Sequence, residues 1–218
     1  AFLTGLEVVA PGATTVVALG DSITDGAFEI PEGDTRWPDL LNDRIKTSDL
    51  AGKRSVVNSG ISGNMITADR DGKADQGQAA VTRMAWDAFE EPNLSHIILF
   101  EGINDIGEAV PAEEIIAGAR RIIAEAHRRG VKVIVATLTP CFGNPTDFAY
   151  TANAAQRIPF NDWVLNSGEP DGVIDFNGAV STGLTPETWI PALTIDFLHP
   201  NPLGLVVMTN AIPLALLR

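Results

Sequence analysis

Short runs of apolar residues recur along the chain and alternate with longer segments whose apolar positions repeat at helical spacing. The short runs are almost continuously apolar, which is typical of parallel strands that are covered on both faces. These runs predict five strands, at residues 15–19, 55–58, 96–100, 131–137 and 173–176.

The clearest helical pattern covers residues 111–129. Pro111 suits a first helical position, Glu113 and Glu114 follow in the first turn, and Gly130 comes directly after the last turn. The apolar residues of this segment fall on one face. Further helices are predicted at residues 37–46, 78–89 and 148–165, and a last one after Asn201, with Asn201 as cap, Pro202 in the first position and Pro213 bending or ending it.

This alternation predicts an α/β fold of three layers, α/β/α, with a parallel sheet of about five strands. No repeat, linker or change of composition marks a second domain, so we expect residues 1–218 to form a single domain. Ligands of open α/β sheets bind beyond the carboxyl ends of the strands. The segments 20–22, 60–63 and 102–105 each follow a predicted strand, and we expect them to meet at one edge of the sheet.

Ser22 is the candidate nucleophile of this edge. It follows Gly20 and Asp21 at the end of the first predicted strand. Gly20 permits a sharp exit from the strand, which would lift the serine hydroxyl above the sheet. A serine needs a positioned base to remove its proton before it can attack. An Asp-Ser pair is also a common helix cap, so Ser22 alone does not decide the chemistry.

His199 is the candidate base. Asp196 precedes it by three residues, and Pro200 favours an extended backbone at the histidine. In a tight loop this spacing brings the carboxylate to Nδ1 and leaves Nε2 for the serine hydroxyl. His96 opens an apolar strand and His127 lies late on a helix, so we interpret both as structural.

Two further donors could join the Ser22 backbone N–H in an oxyanion hole. Gly63 has no side chain, so its amide can approach a substrate oxygen closely, and Asn104 offers a side-chain NH₂ from the loop after the third strand. Each such donor is typically worth about 3–4 kcal/mol in the transition state. Both residues are also common turn formers.

The segments GDSIT, NSGISG, GIND and DFLHP together resemble the four sequence blocks of the SGNH (GDSL-type) hydrolases, in order and in their places at strand ends. The resemblance spans nearly the whole chain. The segments RWPDLLNDRI, LFEGINDIG and GVKVIVATLTP look similar to secreted, lipase-like or carbohydrate-ester-hydrolysing members. The resemblance implies a flavodoxin-like sheet and a metal-free Ser-His-Asp mechanism. It implies an oxyanion hole formed by Ser22, Gly63 and Asn104.

Two positions depart from the pattern of that family. Ile23 stands where the GDSL name has leucine, which is a conservative change. Phe197 and Leu198 stand before the histidine, where many members carry glycine or another small residue, so we expect a slightly different geometry of this loop.

We therefore expect a serine esterase that hydrolyses short-chain carboxylic esters, O-acetyl groups on carbohydrates in particular. The loop 140–150 and the stretch 178–194 should line the cleft, and their mixture of polar and aromatic residues suits sugars or short esters. The candidate substrate contacts are Asp21, Trp37, Phe142, Tyr150 and Trp189. A lipase or thioesterase acting on longer acyl chains is the alternative, and a non-catalytic binding module of the same fold is a third hypothesis.

The composition limits the partners. A net charge of −13 argues against nucleic acid and anionic membranes as partners. No run approaches the roughly 18 apolar residues that a membrane anchor needs. Cys141 is the only cysteine, and there is no G-x-S-x-G, nucleotide-binding or H-E-x-x-H motif, so we expect no metal and no cofactor. The chain is acidic and poor in lysine and starts at Ala1, and we expect a secreted protein.

Overall fold

The structure is a computed structural model that describes residues 9–28, 33–145 and 148–218. Its centre is one parallel sheet in which the strands follow the order β2-β1-β3-β4-β5. The strands are β1 (Thr14–Gly20), β2 (Arg54–Gly60), β3 (Leu94–Phe100), β4 (Lys132–Ala136) and β5 (Gly172–Ile174). This order is the flavodoxin-like one, so the predicted fold class and the number of strands are confirmed.

The register of the sheet aligns the carboxyl ends of β2, β1 and β3. Gly20, the last residue of β1, pairs with Gly60 of β2 on one side and with Phe100 of β3 on the other. The loops that leave these three strands therefore start side by side, as the sequence predicts. Val16 to Leu19 are fully buried because helices cover both faces of β1.

Nine α-helices are found in the described residues. They are α1 (Ser22–Asp25), α2 (Trp37–Lys46), α3 (Ala80–Asp87), α4 (Ile103–Gly107), α5 (Ala112–Arg128), α6 (Phe148–Asn153), α7 (Arg157–Asn166), α8 (Phe176–Val180) and α9 (Pro202–Asn210). Helices α2, α8 and α9 pack together in one layer, and α3, α5 and α7 pack together in the other. The sheet lies between them in a three-layer arrangement.

The predicted ends of two helices are explained by local chemistry. Helix α5 ends at Arg128, and Gly130 follows with a left-handed backbone (φ of 71°). Helix α9 is capped by Asn201, whose Oδ1 accepts a hydrogen bond of 3.0 Å from the Gly204 amide. The helix ends at Asn210, three residues before Pro213.

The helix predicted at 148–165 is wrong as one continuous element. A 3₁₀ turn, Ala154–Gln156, separates α6 from α7. Pro159 has no N–H to donate to the carbonyl of Ala155, so a new helix begins just before the proline. The short helices α1, α4 and α8 were not predicted, because four or five residues are too few for a helical period.

None of the helices in the described part of the chain is both long and apolar enough to span a lipid bilayer.

Candidate active site

Ser22 lies at the carboxyl edge of the sheet, at the first position of α1. Asp21 caps this helix, and its Oδ1 accepts a hydrogen bond of 2.9 Å from the Ile23 amide. The turn requires glycine at position 20, because a Cβ there would lie 2.2 Å from Oγ1 of Thr24 and 2.6 Å from a backbone oxygen of β3. The tight turn keeps Ser22 only 9% exposed.

The chain brings Ser22 and His199 into contact across 177 residues of sequence. Ser22 Oγ lies 3.0 Å from Nε2 of His199, and Nδ1 of the same ring lies 2.8 Å from Oδ2 of Asp196. The hydroxyl, the imidazole and the carboxylate thus form one hydrogen-bonded line. This is the spatial arrangement expected from the sequence.

Hydrogen bonds between side chains and backbone groups of the same loop hold the loop that carries His199. Oδ1 of Asp196 accepts hydrogen bonds from the amides of Leu198 (3.0 Å) and His199 (2.7 Å), so the carboxylate is fixed on both oxygens. Thr194 Oγ1 donates to the carbonyl of His199 at 2.7 Å. Phe197 takes a left-handed backbone (φ of 61°), a conformation that glycine adopts more easily. A bulky residue therefore occupies the turn without displacing the histidine.

The protonation of Asp196 suits its contact with the imidazole. Burial alone would raise the pKa of this carboxyl, but the hydrogen bonds from the backbone and ring of His199 outweigh burial and hold the pKa below its ordinary value. The carboxylate therefore stays ionised and can orient the ring and stabilise its protonated form.

Asn104 comes from the second position of α4, and both ends of its side-chain amide have partners. Nδ2 donates to the backbone oxygen of Asn64 at 2.8 Å, and Oδ1 accepts from the Tyr150 hydroxyl at 2.6 Å. These contacts set which end of the amide is nitrogen. An NH₂ group carries two hydrogens, so one remains for a substrate oxygen.

Gly63 lies in the turn after β2, beside the residue that anchors Asn104. Its φ of 82° is left-handed, and a Cβ there would lie 2.4 Å from the side chain of Gln76. The neighbouring Asn64 fixes this turn, because its Nδ2 donates to the carbonyls of Gln76 (2.7 Å) and Gln78 (2.8 Å). Gly63 and Asn104 therefore belong to one connected loop system at the sheet edge that carries Ser22.

Sequence reasoning missed a buried charged cluster beneath the serine. Arg83 on α3 is 1% exposed, and Glu101 after β3 is 1% exposed, with 3.4 Å between Nη2 and Oε2. Burial raises the pKa of Asp21 to about 7 and raises the pKa of Glu101 well above its ordinary value, while Arg83 opposes both shifts. A single arginine in an amphipathic helix gives no signal that it points inward, so the sequence could not reveal this cluster.

Three of the five candidate substrate contacts are core residues. Trp37 is 0% exposed, donates from Nε1 to Thr24 Oγ1 at 3.2 Å and packs on Phe176. Trp189 is also 0% exposed, and an antiparallel bridge pairs it with Ser181. Asp21 is 1% exposed and serves as the helix cap. Burial removes these three side chains from the set that a substrate in an open cleft could touch.

The other two candidates are Tyr150 and Phe142. Tyr150 is buried, and its hydroxyl contacts Asn104 instead of solvent. Phe142 is half-buried. An aromatic residue that sequence reasoning did not select, Phe28, is 66% exposed and lies edge-on to the His199 ring at 5.1 Å between centroids.

No group of three or more His, Cys, Asp or Glu side chains within residues 9–28, 33–145 and 148–218 is arranged to hold a metal ion.

The fold is similar to those of several solved structures. A carbohydrate acetylesterase from Sinorhizobium meliloti superposes with a TM-score of 0.70 at 16% identity, over 91% of this chain and 95% of that one. A GDSL-like lipase from Bacteroides thetaiotaomicron gives 0.69 at 18% identity, over 93% and 87%. An acetyl xylan esterase gives 0.63 at 19% identity, over 90% and 96%. A search of curated protein sequences finds no match. At these identities the structural matches establish a shared fold.

The family is established by sequence. Residues 18–205 match the model of a family described as GDSL-like lipase/acylhydrolase. Acylhydrolases cleave carboxylic esters, so the protein is a carboxylic ester hydrolase. The chain belongs to the GDSL-like lipase/acylhydrolase family, which confirms the resemblance drawn from its four motifs.

Proposed function

We propose that this hydrolase is a serine esterase for short-chain carboxylic esters, in particular O-acetyl groups on carbohydrates, and that it works through an acyl-enzyme on Ser22. The observation that carries the mechanism is the line from Ser22 Oγ through His199 to Asp196, with hydrogen bonds of 3.0 and 2.8 Å. These distances permit direct proton transfer from the hydroxyl to the ring.

In the acylation step, Ser22 Oγ attacks the ester carbonyl carbon while Nε2 of His199 takes its proton. The carbon–oxygen bond to the alcohol then breaks, and the imidazolium returns the proton to the departing alkoxide. Asp196 keeps Nδ1 protonated and stabilises the imidazolium charge.

The tetrahedral intermediate carries a negative oxygen, which needs donors on the opposite side from the imidazole. We assign these donors to the backbone amides of Ser22 and Gly63 and to Nδ2 of Asn104. All three groups follow the carboxyl ends of neighbouring strands, and Nδ2 of Asn104 is already held by the carbonyl of Asn64. Donors that need no rearrangement are the ones that stabilise an oxyanion most.

Water completes the cycle. His199 removes a proton from a water molecule, the hydroxide oxygen attacks the acyl carbon, and the bond to Ser22 Oγ breaks as the proton returns to the serine. The products are the free carboxylic acid and the original hydroxyl.

Charged side chains that reach the loop of Gly63 support a polar, hydroxyl-rich substrate. A hollow of about 320 Å³ is lined mostly by charged side chains: Met65, Asp69, Arg70, Asp71, Lys73 and Glu108. Arg70 Nη1 reaches the carbonyl of Gly63 at 3.4 Å. A lining of this kind favours a sugar over a long acyl chain. The exposed ring of Phe28 beside His199 supplies the apolar face that ligand sites usually combine with such groups.

The Ser22→Ala variant tests the mechanism. Hydrolysis of p-nitrophenyl acetate should fall by at least about 10³-fold, because the nucleophile is lost. Ser95→Ala, at the amino end of β3, is the matched control and should keep wild-type turnover. Equal rates from wild type and Ser22→Ala would refute the acyl-enzyme and favour a binding module.

The acyl preference tests the substrate class. The value of kcat/KM should be highest for acetyl among acetyl, butyryl and octanoyl p-nitrophenyl esters, and acetylated xylan should release acetate. A maximum at octanoyl would favour the lipase or thioesterase hypothesis instead.

A further inference from the structure

Tyr150 makes a direct contact with a proposed oxyanion donor. Its hydroxyl donates a hydrogen bond of 2.6 Å to Oδ1 of Asn104, and both residues are buried, at 8% and 4% exposure. The phenol ring lies against Gly107, on the same short helix as Asn104. Helix α6, which carries Tyr150, therefore packs against α4, which carries Asn104.

The amide of Asn104 is fixed at two atoms. Its Nδ2 is held by the carbonyl of Asn64 at 2.8 Å, and its Oδ1 is held by the phenol. With only one of these contacts the side chain could rotate about its terminal torsion, and the remaining N–H would lose its direction. With both, the second hydrogen of Nδ2 has one orientation.

The phenol contact also changes the strength of the donor. A hydrogen bond to an amide oxygen draws electron density from the nitrogen, so the N–H becomes a better donor to an anion. The effect is larger in a buried site, where little water screens it.

We infer that Tyr150 is a positioning residue of the oxyanion hole, which orients and strengthens the Asn104 donor for the transition state. The inference rests on the proposed function, because it takes Asn104 to be an oxyanion donor. It replaces the expectation that Tyr150 touches the substrate.

The Tyr150→Phe variant keeps the ring and removes only the hydroxyl. With p-nitrophenyl acetate, kcat should fall about ten-fold and KM should stay within about two-fold, because the lost interaction acts mainly in the transition state. Asn104→Ala should cost about 10²–10³-fold in kcat. The matched control is Trp163→Phe, which removes another buried aromatic donor (Nε1 to Glu169, 2.8 Å) far from the site and should leave kcat unchanged.

A double-mutant cycle separates positioning from general destabilisation. In the Asn104→Ala background, Tyr150→Phe should lower kcat by less than about two-fold, because the amide through which it acts is gone. An equal loss in both backgrounds would overturn the inference, and so would a Tyr150→Phe variant with wild-type kcat.

Tyr150 is the only tyrosine of the chain, so a second test needs no substitution that could unfold the protein. Biosynthetic 3-fluorotyrosine changes this residue alone and makes the phenol more acidic, hence a stronger donor. At a pH where the phenol is neutral, kcat should rise by about two-fold. The same label in Asn104→Ala should leave kcat unchanged. The inference would be overturned if the label left kcat unchanged in the otherwise wild-type protein as well.

The outcomes distinguish the two proposals. If Ser22→Ala or Asn104→Ala retains turnover, the proposed function fails and the inference fails with it. If both lose turnover while Tyr150→Phe keeps it, only the inference about Tyr150 fails.

Discussion

Replacing Arg83 by methionine would perturb the buried support of the candidate site without changing the residues exposed at the site. The guanidinium donates from Nε to Asn64 Oδ1 (2.8 Å), from Nη1 to the Ser59 carbonyl (2.8 Å) and from Nη2 to the Gly20 carbonyl (2.9 Å). These acceptors lie on the segments that lead to the nucleophile and to the oxyanion loop. Methionine fills much of the same volume and removes every donor.

The cost is dominated by the buried carboxyl of Glu101, which loses its partner. The Glu101 side chain is 0% exposed, and its ion pair with the guanidinium would be lost. Asp87, the other carboxylate paired with Arg83, is 29% exposed, so water can solvate it. Removing one partner of a buried ion pair costs about 3–5 kcal/mol. A domain is stable by only about 5–15 kcal/mol. At about 2–4 °C per kcal/mol for a chain of this length, Tm should fall by about 10 °C.

The assay is urea unfolding followed by circular dichroism at pH 7, with wild type, Arg83→Met, Glu101→Gln and the double variant. Glu101→Gln leaves Arg83 paired with Asp87 and should cost about 1 kcal/mol. The double variant should be more stable than Arg83→Met, since it no longer holds the buried Glu101 carboxyl without its partner. Arg128→Met, at a position whose side chain is 71% exposed, is the control and should unfold near the wild-type midpoint. An Arg83→Met midpoint equal to that of Arg128→Met would refute the reasoning.

Three other predictions give separate tests. Asp196→Asn should lower kcat by about 10⁴-fold with little change in KM, because the imidazole loses the carboxylate that sets its tautomer; retained kcat in steady-state kinetics would contradict this. Gly63→Ala forces a side chain onto a left-handed backbone against Gln76 and should lower kcat by about 10²-fold. Gly72→Ala has a similar φ but open space, so it should lower stability and keep kcat. Burial raises the pKa of Asp21 to about 7, so the folded chain holds this proton to higher pH than the unfolded chain, and stability from this group is lost between about pH 4 and 7. Asp21→Asn should flatten that part of the urea-midpoint profile, and parallel profiles for the two proteins would count against it.

The sheet could be predicted because each strand is a nearly unbroken apolar run. The predicted strand at 131–137 overlaps β4 (Lys132–Ala136), and the other four predictions overlap β1, β2, β3 and β5 in the same way. Helix α2 was predicted with its observed bounds, since Trp37 and Lys46 delimit a clear amphipathic segment. Helix bounds were predicted wrongly where they depend on packing or where a proline, such as Pro159, lies inside the amphipathic segment.

The site could be predicted only to the level of its segments. Parallel strands bring their carboxyl ends together, which is why Ser22, Gly63 and Asn104 could be placed at one edge before any contact was known. The partners of these residues could not be predicted. Nothing in the sequence shows that the Tyr150 hydroxyl meets Asn104, 46 residues away, because such a contact depends on how two helices pack.

Because side-chain packing could not be predicted, the aromatic residues chosen as substrate contacts were mostly buried ones. Trp37 and Trp189 are large and apolar, and burying them yields more free energy than leaving them at a cleft. Phe28, by contrast, is 66% exposed just after α1, with a left-handed backbone (φ of 68°) and its ring edge-on to the imidazole. Composition alone cannot separate these environments, since all three are aromatic residues on segments near the sheet edge.

The placement of polar groups follows from the demands of the proposed chemistry. A serine nucleophile and its oxyanion donors must be rigid, yet they lie on loops and on helices of four or five residues, which have little internal stability. Their rigidity has to come from groups below them, and those groups must be polar because they bind backbone carbonyls and amides. Arg83 holds the loops after β1 and β2, and Asp105 holds the next turn through the amides of Ile66 (2.9 Å) and Thr67 (3.1 Å). Burying these charges lowers stability, as the raised pKa values of Asp21 and Asp105 indicate. An apolar core would be more stable at this edge of the sheet but could not orient the backbone groups that the reaction needs.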